Sequence, residues 1–294
     1  MTSWHEGPHA AFDLETTGRD PLTARIVTAT IILVDGDGEV LEHHEWLADP
    51  GIDIPDGAAA IHGITTDHAR SHGLPAVDVV HGISAVLARL FTAGVPVLAY
   101  NARYDFTVLA QEGRRHGVET PRPSPVVDPF IMDKQADRYR RGKRTLTALC
   151  EHYGIRFEHA HTSAADVLAT LQVGRVLAEQ YAFLRRPAAD LHASLIVWAD
   201  RQAASFEEYL RRTEPDAVIE RAWPVIEPAL QPTGGSASES GRDPVSGSRG
   251  AGSTPAGGPG SESVIGPLSG SRGAPQGRPA PAAATAARPA ARPA

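Results

Sequence analysis

The sequence predicts an α/β fold: a mixed sheet of three antiparallel strands and then parallel strands, flanked by helices, with a helical extension and a disordered tail. Three observations predict it. A β-branched run at residues 25–34 leads through Asp35-Gly36-Asp37-Gly38 into a second run at residues 40–47, which is a hairpin because those turn residues tolerate positive φ. Short apolar segments at residues 96–99 and 126–127 then alternate with stretches of helical periodicity, the order that builds a mixed sheet with helices on its faces. From about Gln231 the composition collapses, with 23 Gly or Pro among the last 64 residues and few large apolar side chains. Such a stretch buries too little surface to offset its ordering entropy.

The elements follow in order. Ala10-Ala11-Phe12 opens a short apolar strand that carries Asp13 and Glu15 two residues apart. Strand side chains alternate faces, so these two carboxylates point one way while Phe12 and Leu14 point into the core. After the hairpin and a segment containing Ile61-His62-Gly63-Ile64-Thr65, a helix is expected over residues 75–91, with Val79, Ile83, Val86, Leu87 and Leu90 on one face. The strand at 96–99 ends at Tyr100-Asn101, and a helix over 104–116 closes at Gly117. Helices at 129–137 and 145–153 flank a loop, residues 138–144, with five basic residues around Tyr139. A helix from about Ser163 to Tyr181 follows. Residues 188–223 read as one or two amphipathic helices anchored by Trp198 and Trp223. No internal repeat is evident.

Charge and cysteine usage narrow the setting. The chain nets −7, yet residues 231–294 hold six Arg against three acids, a net of +3, leaving −10 on residues 1–230. An acidic body argues against non-specific coating of nucleic acid and leaves room for a local basic groove. Cys150 is the only cysteine, so no internal disulfide forms and a reducing compartment is the natural setting. Its apolar neighbours mark it as a small buried hydrophobe rather than a nucleophile. Residues 1–9 show no basic-then-apolar leader and no run approaches a membrane span. The expectation is a soluble, cytoplasmic protein without membrane contact.

Asp13 and Glu15 repel each other unless a cation lies between them, and oxygen-only donors at that spacing suit a hard divalent ion. Two further sites add carboxylates. Asp105, in Asn101-Ala102-Arg103-Tyr104-Asp105-Phe106, falls in the first turn of a helix that starts just after a strand, where negative charge is favoured in any case. Asp166, in His161-Thr162-Ser163-Ala164-Ala165-Asp166, fits a capping pattern with Ser163. The first strand, the junction near residue 101 and the start of the helix at 163 would bring these acids to one end of the sheet.

Asp13, Glu15, Asp105 and Asp166 resemble the four acids of the DEDD superfamily of 3′→5′ exonucleases. His161, five residues before Asp166, places the chain in the His-containing DEDDh branch, similar to DnaQ-like enzymes such as the proofreading epsilon subunit of DNA polymerase III. The motifs D-x-E-T-T-G, N-x-x-x-D-F and H-x-x-x-x-D occur in that order between residues 12 and 166, and the resemblance extends over about the first 185 residues. It implies an RNase H-like fold and an exonuclease domain at 1–185, to which the amphipathic pattern adds a helical extension at 186–230 and the composition a disordered tail at 231–294. It also implies two divalent ions, Mg²⁺ or Mn²⁺. The residues matching Asp13, Glu15 and Asp166 ligate one ion, Asp13 reaches the second, and Asp105 helps to hold that second ion. His161 matches the general base, and a pKa near ~6.5 suits that task. Leu14, Thr16, Thr17 and His62 match neighbours of the terminal nucleotide. The chain departs from the family at Ser163, often Ala, at Tyr100, often His, and at Tyr104, often Phe.

The resemblance implies an exonuclease on DNA 3′ ends, in proofreading or repair. Two alternatives stand beside it: an exoribonuclease of the RNase T or oligoribonuclease type, and a non-catalytic scaffold subunit that keeps the fold. The expected partner is a nucleic-acid 3′ end, single-stranded DNA first and RNA second. The loop at 138–144 reads as a phosphate-tracking segment. A polymerase is a further expected partner, and a loose Q-x-x-x-F pattern at Gln202–Phe206 adds a sliding clamp.

Overall fold

The computed structural model describes residues 2–157 and 162–227. The tail assigned to residues 231–294 lies outside the described residues. Strands β1 (His9–Thr16), β2 (Ile26–Val34) and β3 (Val40–Asp49) form the antiparallel half of the sheet. Two-residue strands β4 (Leu74–Pro75), β5 (Val97–Leu98) and β6 (Val126–Val127) complete it in the order β4-β3-β2-β1-β5-β6. β5 runs parallel to β1 and β6 parallel to β5, so the carboxyl ends of β1, β5 and β6 share one edge. In open α/β sheets that edge is where ligands bind.

The segment left unassigned after the hairpin holds two short helices, α1 (Asp56–His62) and α2 (Thr66–His72). Helices α3 (Ala76–Thr92), α4 (Arg103–His116), α5 (Pro129–Ala136), α6 (Leu146–Tyr153) and α7 (Ser163–Gln180) fall where apolar periodicity put them. After a short 3₁₀ turn comes α8 (Ala188–Leu210). Gly117 ends α4 with φ 66, a left-handed conformation that glycine adopts without a Cβ clash.

Residues 188–223 are not helical throughout. α8 stops at Leu210, and residues 211–227 run as an irregular strap. Pro215 and Pro224 bias the residue before each of them away from helix. The strap lies along α4: Arg103 donates to the Glu220 carbonyl at 2.7 Å, and the Ile226 amide donates to Thr107 Oγ1 at 3.0 Å. Trp198 and Trp223 are both buried, as expected of anchors.

The faces of β1 sort the helices. Phe12 meets Phe106 of α4 at a ring separation of 5.5 Å, so α4 covers the apolar face. α7 packs on β1, β2 and β5, and its first residue, Ser163, reaches Thr30 Oγ1 at 2.7 Å. Thr30 pairs directly opposite Asp13, and Thr28 opposite Glu15. Cross-strand partners share a face, so α7 covers the carboxylate face. Gly174 lets α7 lie close to the sheet, since a Cβ there would stand 2.6 Å from Leu98 Cδ2.

Candidate active site

Asp13 and Glu15 are half-buried while Phe12 and Leu14 are buried, the alternation expected of the strand. Register shifts between Glu15 and Thr16, a bulge that ends regular pairing at the sheet edge. Thr17 re-pairs with Arg25, its amide donating to the Arg25 carbonyl at 3.0 Å and its Oγ1 accepting from the Arg25 amide at 3.0 Å.

Asp166 arrives from the first turn of α7. The capping pattern that paired it with Ser163 is corrected by the structure. Thr162 is the N-cap, its side chain accepting from the Ala165 amide. Ser163 is the first helical residue and points to β2, with Thr30 Oγ1 at 2.7 Å and Thr28 Oγ1 at 3.5 Å. The hydroxyl therefore pins the start of the helix above the strand face that bears the carboxylates. Ligand oxygens of Asp13, Glu15 and Asp166 all lie within 4.8 Å of one another.

Asp105 comes from the opposite side of the sheet. β5 ends at Leu98, Asn101 turns the chain with φ 64, and α4 starts two residues later. Asn tolerates that left-handed conformation better than most residues. Because β5 is so short, the Leu14 amide has no strand partner on that side, and Asp105 Oδ1 accepts from it at 3.2 Å. Asp105 is buried and bears electrostatically on Asp13.

Burial holds the Asp13 and Asp105 carboxyls well above their ordinary range, and neighbouring acids push in the same direction. Burial, with help from Asp166, pushes Glu15 up to about 8. Among the described residues, no cation acts on Asp13 or Glu15 to offset this. Crowded carboxylates that raise one another's pKa and offer only oxygen donors fit a hard divalent cation.

Thr16, Thr17, Leu14 and His62 come together with Glu15 around a cleft of about 540 Å³, the size range of small-ligand sites. Tyr104 bonds both Thr16 Oγ1 and the Gly18 carbonyl, fixing one wall. His62 Nδ1 accepts from the Ile64 amide at 3.1 Å. Its Nε2 is buried without a hydrogen bond of ordinary geometry, although the Thr16 carbonyl is near enough to pull the pKa upward. Burial outweighs that pull and lowers it, so the imidazole is neutral at neutral pH. His161 lies outside the described residues.

Two residues escaped the sequence reading. Asp128 follows β6 as the N-cap of α5 and accepts from the amides of Asn101, Ala102 and Phe130 at 3.0–3.1 Å, and from Trp223 Nε1 at 3.4 Å. It thereby fixes the turn that aims Asp105. Burial raises its pKa to about 6 despite those donors. The signal was present: Asp128 before Pro129 at a helix start is an N-cap followed by proline at N1. Arg19 also lines the cleft beside Gly18, and no sequence pattern marked it.

Comparison with known proteins gives a consistent answer. An exonuclease family model, RNase_T, matches residues 10–173, more than half of the chain. A DNA polymerase III PolC-type protein of Lacticaseibacillus paracasei is 27% identical over 163 residues, 55% of this chain and 11% of the relative. A DNA polymerase III subunit epsilon-like protein of Rhodobacter capsulatus is 29% identical over 165 residues, 55% of this chain and 22% of the relative. The chain thus spans a tenth to a fifth of the length of these relatives. E. coli exonuclease I in complex with a dA16 oligonucleotide shares the fold, with TM-score 0.52 and 22% identity over 60% of this chain and 42% of that one. Its zinc-bound form with single-stranded DNA aligns with the same TM-score, 0.52, identity of 22% and the same coverage. The DnaQ-like resemblance drawn from the motifs therefore holds, and the chain belongs to the RNase_T exonuclease family.

Proposed function

We propose that this chain is a metal-dependent 3′→5′ exonuclease that releases nucleoside monophosphates from DNA 3′ ends, in proofreading or repair. The observation that carries this reading is the meeting of Asp13, Glu15 and Asp166 oxygens within 4.8 Å, at the edge of a nucleotide-sized cleft. Asp13, Glu15 and Asp166 would hold one divalent ion, Mg²⁺ or Mn²⁺, and Asp13 with Asp105 would hold a second. Such a pair supplies a nucleophile at neutral pH and stabilises the departing oxyanion. The chain's own residues bind, orient and move the proton. Leu14, Thr16, Thr17 and His62 seat the terminal sugar and base. His161 accepts the proton of the attacking water at an imidazole nitrogen.

Residues 1–185 carry this activity, α8 and the strap at 211–227 form an extension to it, and residues 231–294 are dispensable for it. Preference for DNA is supported by relatives named for DNA polymerase III and by fold neighbours bound to DNA oligonucleotides. A polymerase partner rests on those names. The Q-x-x-x-F pattern adds little to a clamp partner, because Gln202 sits in α8 and its amide donates to the Ile131 carbonyl at 3.0 Å. Among the described residues no helix is long and apolar enough to cross a membrane. The buried, unpaired Cys150 suits the cytoplasm.

The test compares labelled single-stranded DNA, 3′-mismatched duplex DNA and RNA, each with Mg²⁺ and with Mn²⁺. Stepwise loss of 3′ nucleotides from DNA supports the proposal. Faster turnover of RNA moves the reading to an exoribonuclease, and no turnover of any substrate leaves a scaffold subunit.

A further inference from the structure

Helix α8 packs on α5 and β6, and two hollows lie beside it, one of about 390 Å³ between α8, α5 and the strap and one of about 440 Å³ between α8, α5 and the loop at 138–144. Both are lined by Lys134, Gln202 and Phe206, so they adjoin across those side chains along one groove. Its inner end is lined by Asn101 and Arg103, on the turn that leads into Asp105. Tyr100 OH donates to the Arg144 carbonyl at 2.6 Å, tying the basic loop to the same sheet edge.

The outer hollow holds four cations, Lys134, Arg138, Arg144 and Arg201, and no carboxylate. That concentration sits on a body that nets −10 over residues 1–230. Not all of the loop's charge is free. Arg140 and Arg144 both pair with the buried Asp133, Arg140 at 2.9 Å. Lys134, Arg138 and Arg201 have no carboxylate partner among the described residues. Lys134 Nζ stands 4.8 Å from the Phe130 ring centre. Burial, Arg144 and Arg103 hold its pKa below the ordinary lysine value, outweighing the upward pull of Asp128. Uncompensated positive potential of this kind favours an anion.

The groove also presents aromatic surface. α8 buries Leu191, Leu195, Trp198, Ala199 and Ala203, while Phe206 and Tyr209 are 49% and 62% exposed. They lie three residues apart, neighbours on one helix face, and both line the outer hollow beside Arg138 and Arg201. Spaced cations with exposed rings are the chemistry that holds single-stranded nucleic acid, phosphates on the cations and bases on the rings.

We propose that this groove binds the single-stranded segment 5′ of the end held at the carboxylates, with Lys134, Arg138 and Arg201 on phosphates and Phe206 and Tyr209 stacked on bases. This rests on the exonuclease reading and extends it to an element outside the family match, which ends at residue 173, before α8.

The test uses the full chain in EDTA, so that no cleavage intervenes, and reads fluorescence anisotropy with 4- and 20-nucleotide oligothymidylates. Arg138→Ala with Arg201→Ala should weaken 20-mer binding at least tenfold and 4-mer binding far less. The slope of log K against log salt should fall by about 1.4, roughly 0.7 for each single-strand phosphate that is no longer neutralised. Phe206→Ala with Tyr209→Ala should weaken 20-mer binding to a similar degree while leaving the salt slope unchanged. An unchanged thermal midpoint would show that each variant is folded. Wild-type affinity and slope in both double variants would overturn the proposal and leave an acidic protein segment as the occupant. Hydrolysis of thymidine 5′-monophosphate p-nitrophenyl ester by the wild-type protein tests the exonuclease reading by itself, so the two fail separately.

Discussion

Asp13 is under opposing demands. Its carboxylate is crowded by Asp105, Asp166 and Glu15, an arrangement that burdens the fold unless a cation binds. Asp13→Asn removes one charge at nearly constant volume. The variant should raise the thermal midpoint of the metal-free protein and lower nucleotide release by roughly 10³-fold, since lost ion-mediated charge stabilisation amounts to several kcal/mol at 1.36 kcal/mol per factor of ten. Activity above a tenth of wild type would remove Asp13 from the site. Ser163 works through geometry instead. With Ser163→Ala, the buried Thr30 hydroxyl loses its 2.7 Å partner, a cost of about 1–3 kcal/mol for a buried unsatisfied group. Thr30→Val in the same chain should recover much of that loss. Urea unfolding of the two single variants and the double variant measures the coupling, and strict additivity would deny the link between α7 and β2.

At the scale of elements, the junction of β5, α4 and β6 depends on Asp128. It ties the turn at Asn101 and Ala102 to the N-terminus of α5 and to Trp223 of the strap. Asp128→Ala leaves those donors unpaired and should destabilise the fold by about 3 kcal/mol, the scale for losing hydrogen bonds to a charged acceptor. Because the same turn leads into Asp105, turnover should fall more than the loss of folded protein explains. Single-turnover assays well below the unfolding transition check this. The acid constellation itself was legible as ordered motifs, because Asp13 and Glu15 share a strand and Asp105 and Asp166 each open a helix. Asp128 was hidden in plain view. Its cap to Phe130 is local, whereas its bonds to residues 101, 102 and 223 exist only once the chain has folded. Ser163 was misread for the opposite reason: a local capping pattern fitted it, and a bond to a residue 133 positions away in sequence overrode that pattern.

For the molecule as a whole, the buried acids set a pH dependence. Glu15 is raised from 4.5 to about 8 and Asp128 from 3.8 to about 6. The folded state therefore holds these protons more tightly than the unfolded chain, so each contributes stability at low pH that is lost as pH rises through the folded value. Metal-free protein should lose stability steadily from about pH 4 to about pH 8. A divalent cation that binds only the folded state reverses the loss by mass action. The rise in melting temperature on adding Mn²⁺ should be larger at pH 8 than at pH 5, and an equal rise at both would separate the cation from these carboxylates.

Composition and short-range pattern determined the hairpin, the alternation of helix and strand, the carboxylate motifs and the family. The elements and the single motifs depend on residues within a turn or a strand repeat of one another, where φ/ψ preference and periodicity act directly, and the family follows from the order of those motifs along the chain. Folding alone decided that Ser163 faces Thr30, that Asp128 locks the turn before Asp105, and that residues 211–227 lie along α4 rather than extend α8. It also decided which loop cations remain free, since Asp133 neutralises Arg140 and Arg144 only when α5 brings it beneath them. Those outcomes join distant segments of the chain, and they follow from how faces pack rather than from what any one stretch prefers.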